Sequence, residues 1–232
     1  MKILTQLIIA GLGTGDFELV TPKAINSALN ADMILVPRSK KSEKGLAETI
    51  LSHYVHDREI TALYFPMTRD ENERDKIILS QLENIRSKIE QSHSIFFPVI
   101  GDSSLYSTGA YLLSAMKKII PDVKATLIPG ISAHSVAASC AGRFMAMSDE
   151  IFTIIPGTAS PEKILSALKN SDSAAIYKPT AVKSLRELVI ASGFSQIIRV
   201  DYAGIPEREK ITEGITALDD VSEYLSVILL RR

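Results

Sequence analysis

The stretch Val99-Ile-Gly-Asp-Ser-Ser-Leu-Tyr-Ser-Thr108 decides how this chain is read. The apolar run Ser94–Ile100 leading into it has the length and composition of a buried strand, and Gly109–Ile120 behind it reads as a helix. Between them stand a glycine, an acid and a series of hydroxyl side chains. Open parallel α/β sheets bind ligands where strand ends meet helix starts. Gly101 lets backbone approach a ligand closely. Asp102 can accept from ligand hydroxyls or face a cationic centre. The N–H groups around Ser107 and Thr108 lie at the positive end of a helix. A plain strand–turn–helix connection has the same outline, so the rest of the chain must discriminate.

The amino end carries a second such turn. Leu7–Ala10 is apolar, Gly11-Leu-Gly-Thr-Gly-Asp16 follows, and Thr21-Pro22 opens a helix with a capping side chain and a proline in its first turn. This resembles a dinucleotide-binding turn but departs from G-x-G-x-x-G, because Asp16 holds the third glycine's place and its charge would repel a pyrophosphate. The second strand, Met33–Val36, ends in Pro37-Arg38 and not in an acid that would hold a ribose. Both features argue against a nicotinamide dinucleotide.

Strands at Ile60–Phe65 and Ser94–Ile100 flank a helix from about Glu71 to Gln91, whose apolar stripe is Ile78, Leu82, Ile85 and Ile89. Ile120-Pro121-Asp122 breaks the pattern and marks the expected linker, with an N-terminal domain over residues 1–120 and a C-terminal domain over 121–232. The second half has strand-like runs at Ala125–Ile128, Ile151–Ile155, Ala174–Tyr177, Ile197–Val200 and Leu225–Leu230. Helices are expected after Ser160-Pro161 and over Lys183–Ser192. This alternation predicts α/β architecture with parallel-rich sheets.

Composition narrows the function. A hydrophobic content of 46% supplies an ample core, and a net charge of -1 argues against a nucleic-acid partner. The single Cys140 excludes an internal disulfide and reads as packing in a small-residue helix. No apolar run approaches the roughly 20 residues of a membrane span. MKILTQLIIAGLG runs straight into the glycine loop and reads as a first strand and not a signal peptide, so a cytoplasmic protein is expected. The 4 histidines show no metal-ligand spacing, and HExxH and the nucleophile elbow are missing. No metal site and no catalytic side chain is assigned. His134 stays open between a site residue and an ordinary structural histidine.

Taken with Ile128-Pro-Gly-Ile-Ser-Ala133, the two loops resemble the tetrapyrrole methylase family over nearly the whole chain. That family's first loop is usually G-x-G-P-G-D-P-E-L-L-T, where this chain has GLGTGDFELVT. Its second is usually GDP, here Gly101-Asp102-Ser103, and PGISA is matched fully. Prolines are thus lost at Thr14, Phe17 and Ser103. Phe65-Pro-Met-Thr-Arg-Asp70, Leu105-Tyr-Ser-Thr108, Ile155-Pro-Gly-Thr158 and Tyr224–Arg231 narrow the likeness to the precorrin-2 C(20)-methyltransferase branch.

The resemblance implies two α/β domains with mixed, mainly parallel sheets and a cofactor cleft between them. It implies S-adenosylmethionine as cofactor, with S-adenosylhomocysteine as product. Leu12, Ile100, Gly101, Asp102, Leu105 and Tyr106 would line one side of the cofactor, and Ser132 and Ala133 the other. Tyr177 and Ala203 would add contacts from the second domain. A polycarboxylate tetrapyrrole would be the small-molecule substrate, met by Asp16 and Arg38, in a homodimer. Arg38 heads a basic loop with Lys40, Lys41 and Lys44, which reads equally as a solvated surface. Methylation at another corrin-precursor carbon, a diphthine-synthase-like protein methyltransferase and a nucleotide-binding module without turnover stay as alternatives. The RNA-methylating branch is disfavoured, because its T-P-I-G-N-L loop is missing. A metal-free and a cobalt-containing substrate are not distinguished.

Overall fold

The computed structural model describes residues 5–68 and 70–232. Arg69 of the Phe65–Asp70 segment and the first four residues of the expected leading strand lie outside them. Two compact units divide between Ser132 and Ala133.

The first unit alternates strand and helix. Its elements are β1 (Gln6–Gly11), α1 (Pro22–Asn30), β2 (Met33–Arg38), α2 (Leu46–Ser52), β3 (Ile60–Tyr64), α3 (Glu71–Asn84), α4 (Arg86–Gln91), β4 (Ser94–Val99), α5 (Gly109–Ile119) and β5 (Lys124–Ile128). The strands form one sheet in the order β3-β2-β4-β1-β5, and every pairing is parallel. Both faces are buried, as parallel sheets require. Leu7, Ile9, Ile95 and Phe97 pack on one face with residues of α3 and α5. Ala10, Ile34, Val36 and Phe96 pack on the other with Ala24 and Ala28 of α1 and Ile50 and Leu51 of α2.

Thr21 caps α1 by accepting from the Ala24 N–H at 3.3 Å. The helix expected over Glu71–Gln91 is two helices that meet at Ile85, whose φ of -114° leaves the helical region. The stripe survives the break: Ile78, Leu82 and Ile89 are fully buried and Ile85 packs against them. The Ile120-Pro121-Asp122 turn is not where the units part. β5 pairs along β1 from Gln6↔Lys124 to Ala10↔Ile128, so the chain completes the first sheet before leaving it.

The second unit contains α6 (Ala133–Cys140), β6 (Phe152–Pro156), α7 (Pro161–Lys169), β7 (Ser173–Tyr177), α8 (Leu185–Ser192), β8 (Gln196–Asp201), β9 (Lys210–Glu213) and β10 (Ser226–Arg231). Its sheet runs β6-β7-β10-β8-β9 and is mixed: β6 and β7 are parallel, and the other pairs are antiparallel. β10 lies at the centre, with Val227 to Leu230 all buried. The closing apolar strand is therefore covered within its own unit. The short strand β9 went unread in the sequence because Lys210-Ile-Thr-Glu213 has one apolar residue at a sheet edge.

Candidate functional site

Connections from the parallel sheet leave on opposite faces. β1 leads through α1 on one face to β2, and β4 leads through α5 on the other to β5. The carboxyl ends of the adjacent strands β1 and β4 are thus a topological switch point, where open α/β sheets bind ligands.

Three glycine loops meet there. The Gly101 N–H donates to the Gly13 carbonyl at 2.7 Å and the Gly13 N–H returns to the Gly101 carbonyl at 3.3 Å. The Leu12 N–H donates to the Val99 carbonyl at 2.9 Å. A Cβ on Gly130 would lie 2.3 Å from the Gly101 oxygen, and one on Gly11 would lie 2.7 Å from the Gly130 nitrogen. No side chain fits at either place, so the loops after β1, β4 and β5 touch backbone to backbone. Gly13 has a different reason to be glycine. Its φ is +71°, while a Cβ there would make only ordinary contact, with Leu19 atoms at 3.8 Å.

Asp102 stitches these loops. One carboxylate oxygen accepts from the Ser104 N–H at 2.8 Å and from the Ser104 hydroxyl. The other accepts from the Gly130 N–H at 3.1 Å. The neighbouring Ser103 hydroxyl is buried without a hydrogen-bond partner. Leu105 is half-buried, and Tyr106 is exposed with a left-handed φ of 49°, a conformation a bulky residue holds at a cost. Partial desolvation raises the Tyr106 pKa. The helix start behind them is not a free anion cradle: the N–H groups of Gly109, Ala110 and Tyr111 donate to Ser107 Oγ, the Ser107 carbonyl and the Thr108 carbonyl.

The two residues expected at the substrate have local partners. Asp16 caps a 3₁₀ turn, Phe17–Leu19, by accepting from the Glu18 N–H at 2.8 Å. Arg38, at the end of β2, grips Glu48 of α2 with Nε and Nη2, both at 2.7 Å. Glu48 is 3% exposed, so this is a desolvated bidentate pair, and Glu48 raises the guanidinium pKa further. α2 was missed in the sequence. Its signal was present, since Leu46, Ala47, Ile50 and Leu51 repeat at helical spacing, and a buried acid on that face demands a cation.

In the second unit the expected contacts lie at the carboxyl ends of β7 and β8. Tyr177 ends β7, and its hydroxyl accepts from the His134 N–H at 3.1 Å and lies 2.7 Å from His134 Nδ1. Ala133 and His134 open α6, so this contact ties helix to strand. Lys178 and Tyr202, just past β7 and β8, have left-handed φ values of 53° and 52°. Ala203 is buried, and Glu209 supports its loop by accepting from the Gly204 N–H at 2.9 Å and the Cys140 thiol at 3.0 Å. Burial and Glu209 push the Cys140 thiol up to about 11, which suits a packing role. No group of residues able to hold a metal ion occurs among the described residues.

A family model for tetrapyrrole (corrin/porphyrin) methylases matches residues 6–219. This chain belongs to the tetrapyrrole methylase family. Among curated relatives, a probable cobalt-precorrin-2 C(20)-methyltransferase of Methanocaldococcus jannaschii is 29% identical across 100% of this chain and 98% of its own. The precorrin-2 C(20)-methyltransferase of a Sinorhizobium species is 26% identical over 97% and 94%. The Thermus thermophilus uroporphyrin-III C-methyltransferase, solved with S-adenosylhomocysteine, shares the fold at a TM-score of 0.70, with 16% identity over 98% of this chain and 97% of that one. The family supplies the missing context for the glycine loops: this chain is a methyltransferase. No helix among the described residues is long and apolar enough to cross a membrane.

Proposed function

We propose that this methyltransferase moves a methyl group from S-adenosylmethionine to carbon 20 of precorrin-2 or of its cobalt form, in cobalamin synthesis. The observation that carries the cofactor reading is the meeting of the loops after β1, β4 and β5 at the switch point of a parallel sheet. The substrate reading rests on relatives of that name that match over nearly their full lengths.

The residues present fit such a cofactor. No side chain of its own crowds the loop at Gly13, Ile100 and Leu105 offer apolar surface, and Asp102 supplies negative charge. Leu12, Ile100, Gly101, Asp102, Leu105, Tyr106, Ser132, Ala133, Tyr177 and Ala203 would hold it. When bound, S-adenosylmethionine supplies a methyl group already activated on a positively charged sulfur. The protein then has to orient and to exclude water. Orientation is worth roughly 7–11 kcal/mol, and a dry surrounding favours dispersal of charge in the transition state. Asp16 meets the substrate through the carboxylate oxygen its cap leaves over. Arg38 is largely committed to Glu48, so its part is chiefly to hold the end of β2. The proton lost from the methylated carbon passes to solvent or to a macrocycle nitrogen. The working form we propose is a cytoplasmic homodimer.

The test is incubation with methyl-labelled S-adenosylmethionine and either metal-free or cobalt-bearing precorrin-2. Label at carbon 20 in one of them is the expected result. Label at another carbon, or label in neither while the cofactor still binds, overturns the reading.

A further inference from the structure

We propose that α2 and the two residues behind it brace the first glycine loop, so that His53 and Tyr54 are positioning residues for Asp16. The inference rests on the reading of Asp16 as a substrate contact. One end of α2 is fixed by the buried Glu48–Arg38 pair at the end of β2. Ala47, Ile50 and Leu51 bury its inner face. At its other end, the His53 ring lies flat on Phe17, with centroids 4.3 Å apart and planes 1° from parallel. The Tyr54 hydroxyl donates to the Phe17 carbonyl, and its ring stands edge-on to His53 at 4.9 Å. Phe17 directly follows Asp16. The peptide next to the carboxylate is therefore held from the side by a helix that is itself anchored.

This contact does little for the core. Phe17 is 36% exposed and His53 is exposed, so the stack covers little apolar surface that water would otherwise meet. Its position explains it better. A proline at position 17 would stiffen such a loop by itself. The backbone here keeps the shape a proline accepts. Asp16 is extended, with φ -69° and ψ 119°, and Phe17 is the first residue of a helical turn, where an N–H has no intrahelical acceptor. This loop carries no proline ring, and the brace supplies the constraint. Asp16 spends one oxygen on the Glu18 N–H, within the loop that the brace holds.

Steady-state kinetics with both substrates, together with melting curves, test this on Tyr54→Phe, His53→Ala and their double variant. The double variant is expected to raise the KM for the tetrapyrrole about tenfold, in line with losing one hydrogen bond and one ring contact. The KM for S-adenosylmethionine and the melting temperature should stay near the parent's. His53→Phe, which keeps the stack, should behave as the parent. Adding Phe17→Pro to the double variant should restore the tetrapyrrole KM. Unchanged kinetics in the double variant, equal losses for both substrates, or no rescue by proline overturns the brace. Asp16→Asn separates the two levels. If it leaves the tetrapyrrole KM untouched in an active enzyme, the Asp16 reading fails and the brace has nothing to position. A parent that methylates no tetrapyrrole removes the functional reading itself.

Discussion

Ser103 stands where the family's second loop has proline, and its hydroxyl is buried with no partner. Leaving a buried hydroxyl unsatisfied costs about 1–3 kcal/mol. Ser103→Ala should therefore raise stability by about 1 kcal/mol, seen as a higher denaturant midpoint with an unchanged slope. A lower midpoint would show that the hydroxyl has a partner after all. His134 poses the opposite question. Its ring pairs with Tyr177, but its backbone N–H makes a bond to the same hydroxyl that survives truncation. His134→Ala should keep its single-turnover rate within about tenfold of the parent, because a positioned base is worth about 10²–10⁴-fold and none is needed here. A loss of a hundredfold or more with intact cofactor binding would make His134 the base. Arg38 shows why single residues mislead when read from sequence. A cation at a strand end looks free for substrate until the acid that neutralises it, ten positions later on an unread helix, is seen.

At the scale of elements, apolar runs were legible where a parallel strand lies inside the sheet and is buried on both faces. β2 and β4 were read nearly to their ends for that reason. What was hidden was how strands are tied. Asp32, just before β2, accepts from the His93 N–H at 2.9 Å and the Ser94 N–H at 2.8 Å, which joins the starts of β2 and β4. The Ser94 N–H is the largest of the contacts that hold the Asp32 carboxyl below its ordinary range, and partial burial works against it. A lowered pKa stabilises the fold above the unfolded value and loses that contribution as pH falls through the folded one. Asp32→Ala should cost about 1 kcal/mol near neutrality, discounted by solvent at this exposed site. Denaturation at stepped pH should show the gap to the parent closing below about pH 4. A gap that stays constant into stronger acid would remove the charge from the account. The break at Ile85 belongs to the same scale: the apolar stripe continues through it, so spacing alone could not reveal it.

At the scale of the molecule, the second unit holds Phe144 at 80%, Met147 at 56% and Ile151 at 58% exposure. Their loop is pinned by Arg231, which donates to the Phe144 carbonyl at 3.0 Å and pairs with Glu150 at 2.7 Å. Exposed apolar side chains on a pinned loop favour association, since covering them returns about 25 cal/mol per Å². Light scattering should therefore give twice the chain mass, and a monomer at working concentration would refute the dimer. The fold class, most of the strands and longer helices and the glycine loops were determined by the sequence itself; α2, β9 and the break at Ile85 were not. Local rules write the former: apolar periodicity, caps, and glycine where backbone must turn or touch. PGISA and the glycine-aspartate turn were equally legible, because close backbone contact tolerates no other side chain. Only the tertiary structure decided that β5 closes the first sheet, that Asp102 bonds across to Gly130, that Arg38 belongs to Glu48, and that α2 reaches the loop of Asp16. Each of those is a contact between different elements of the chain, from ten to more than a hundred positions apart. Partner choice there is set by packing and by the need to satisfy buried charge, and neither leaves a period or a motif to read.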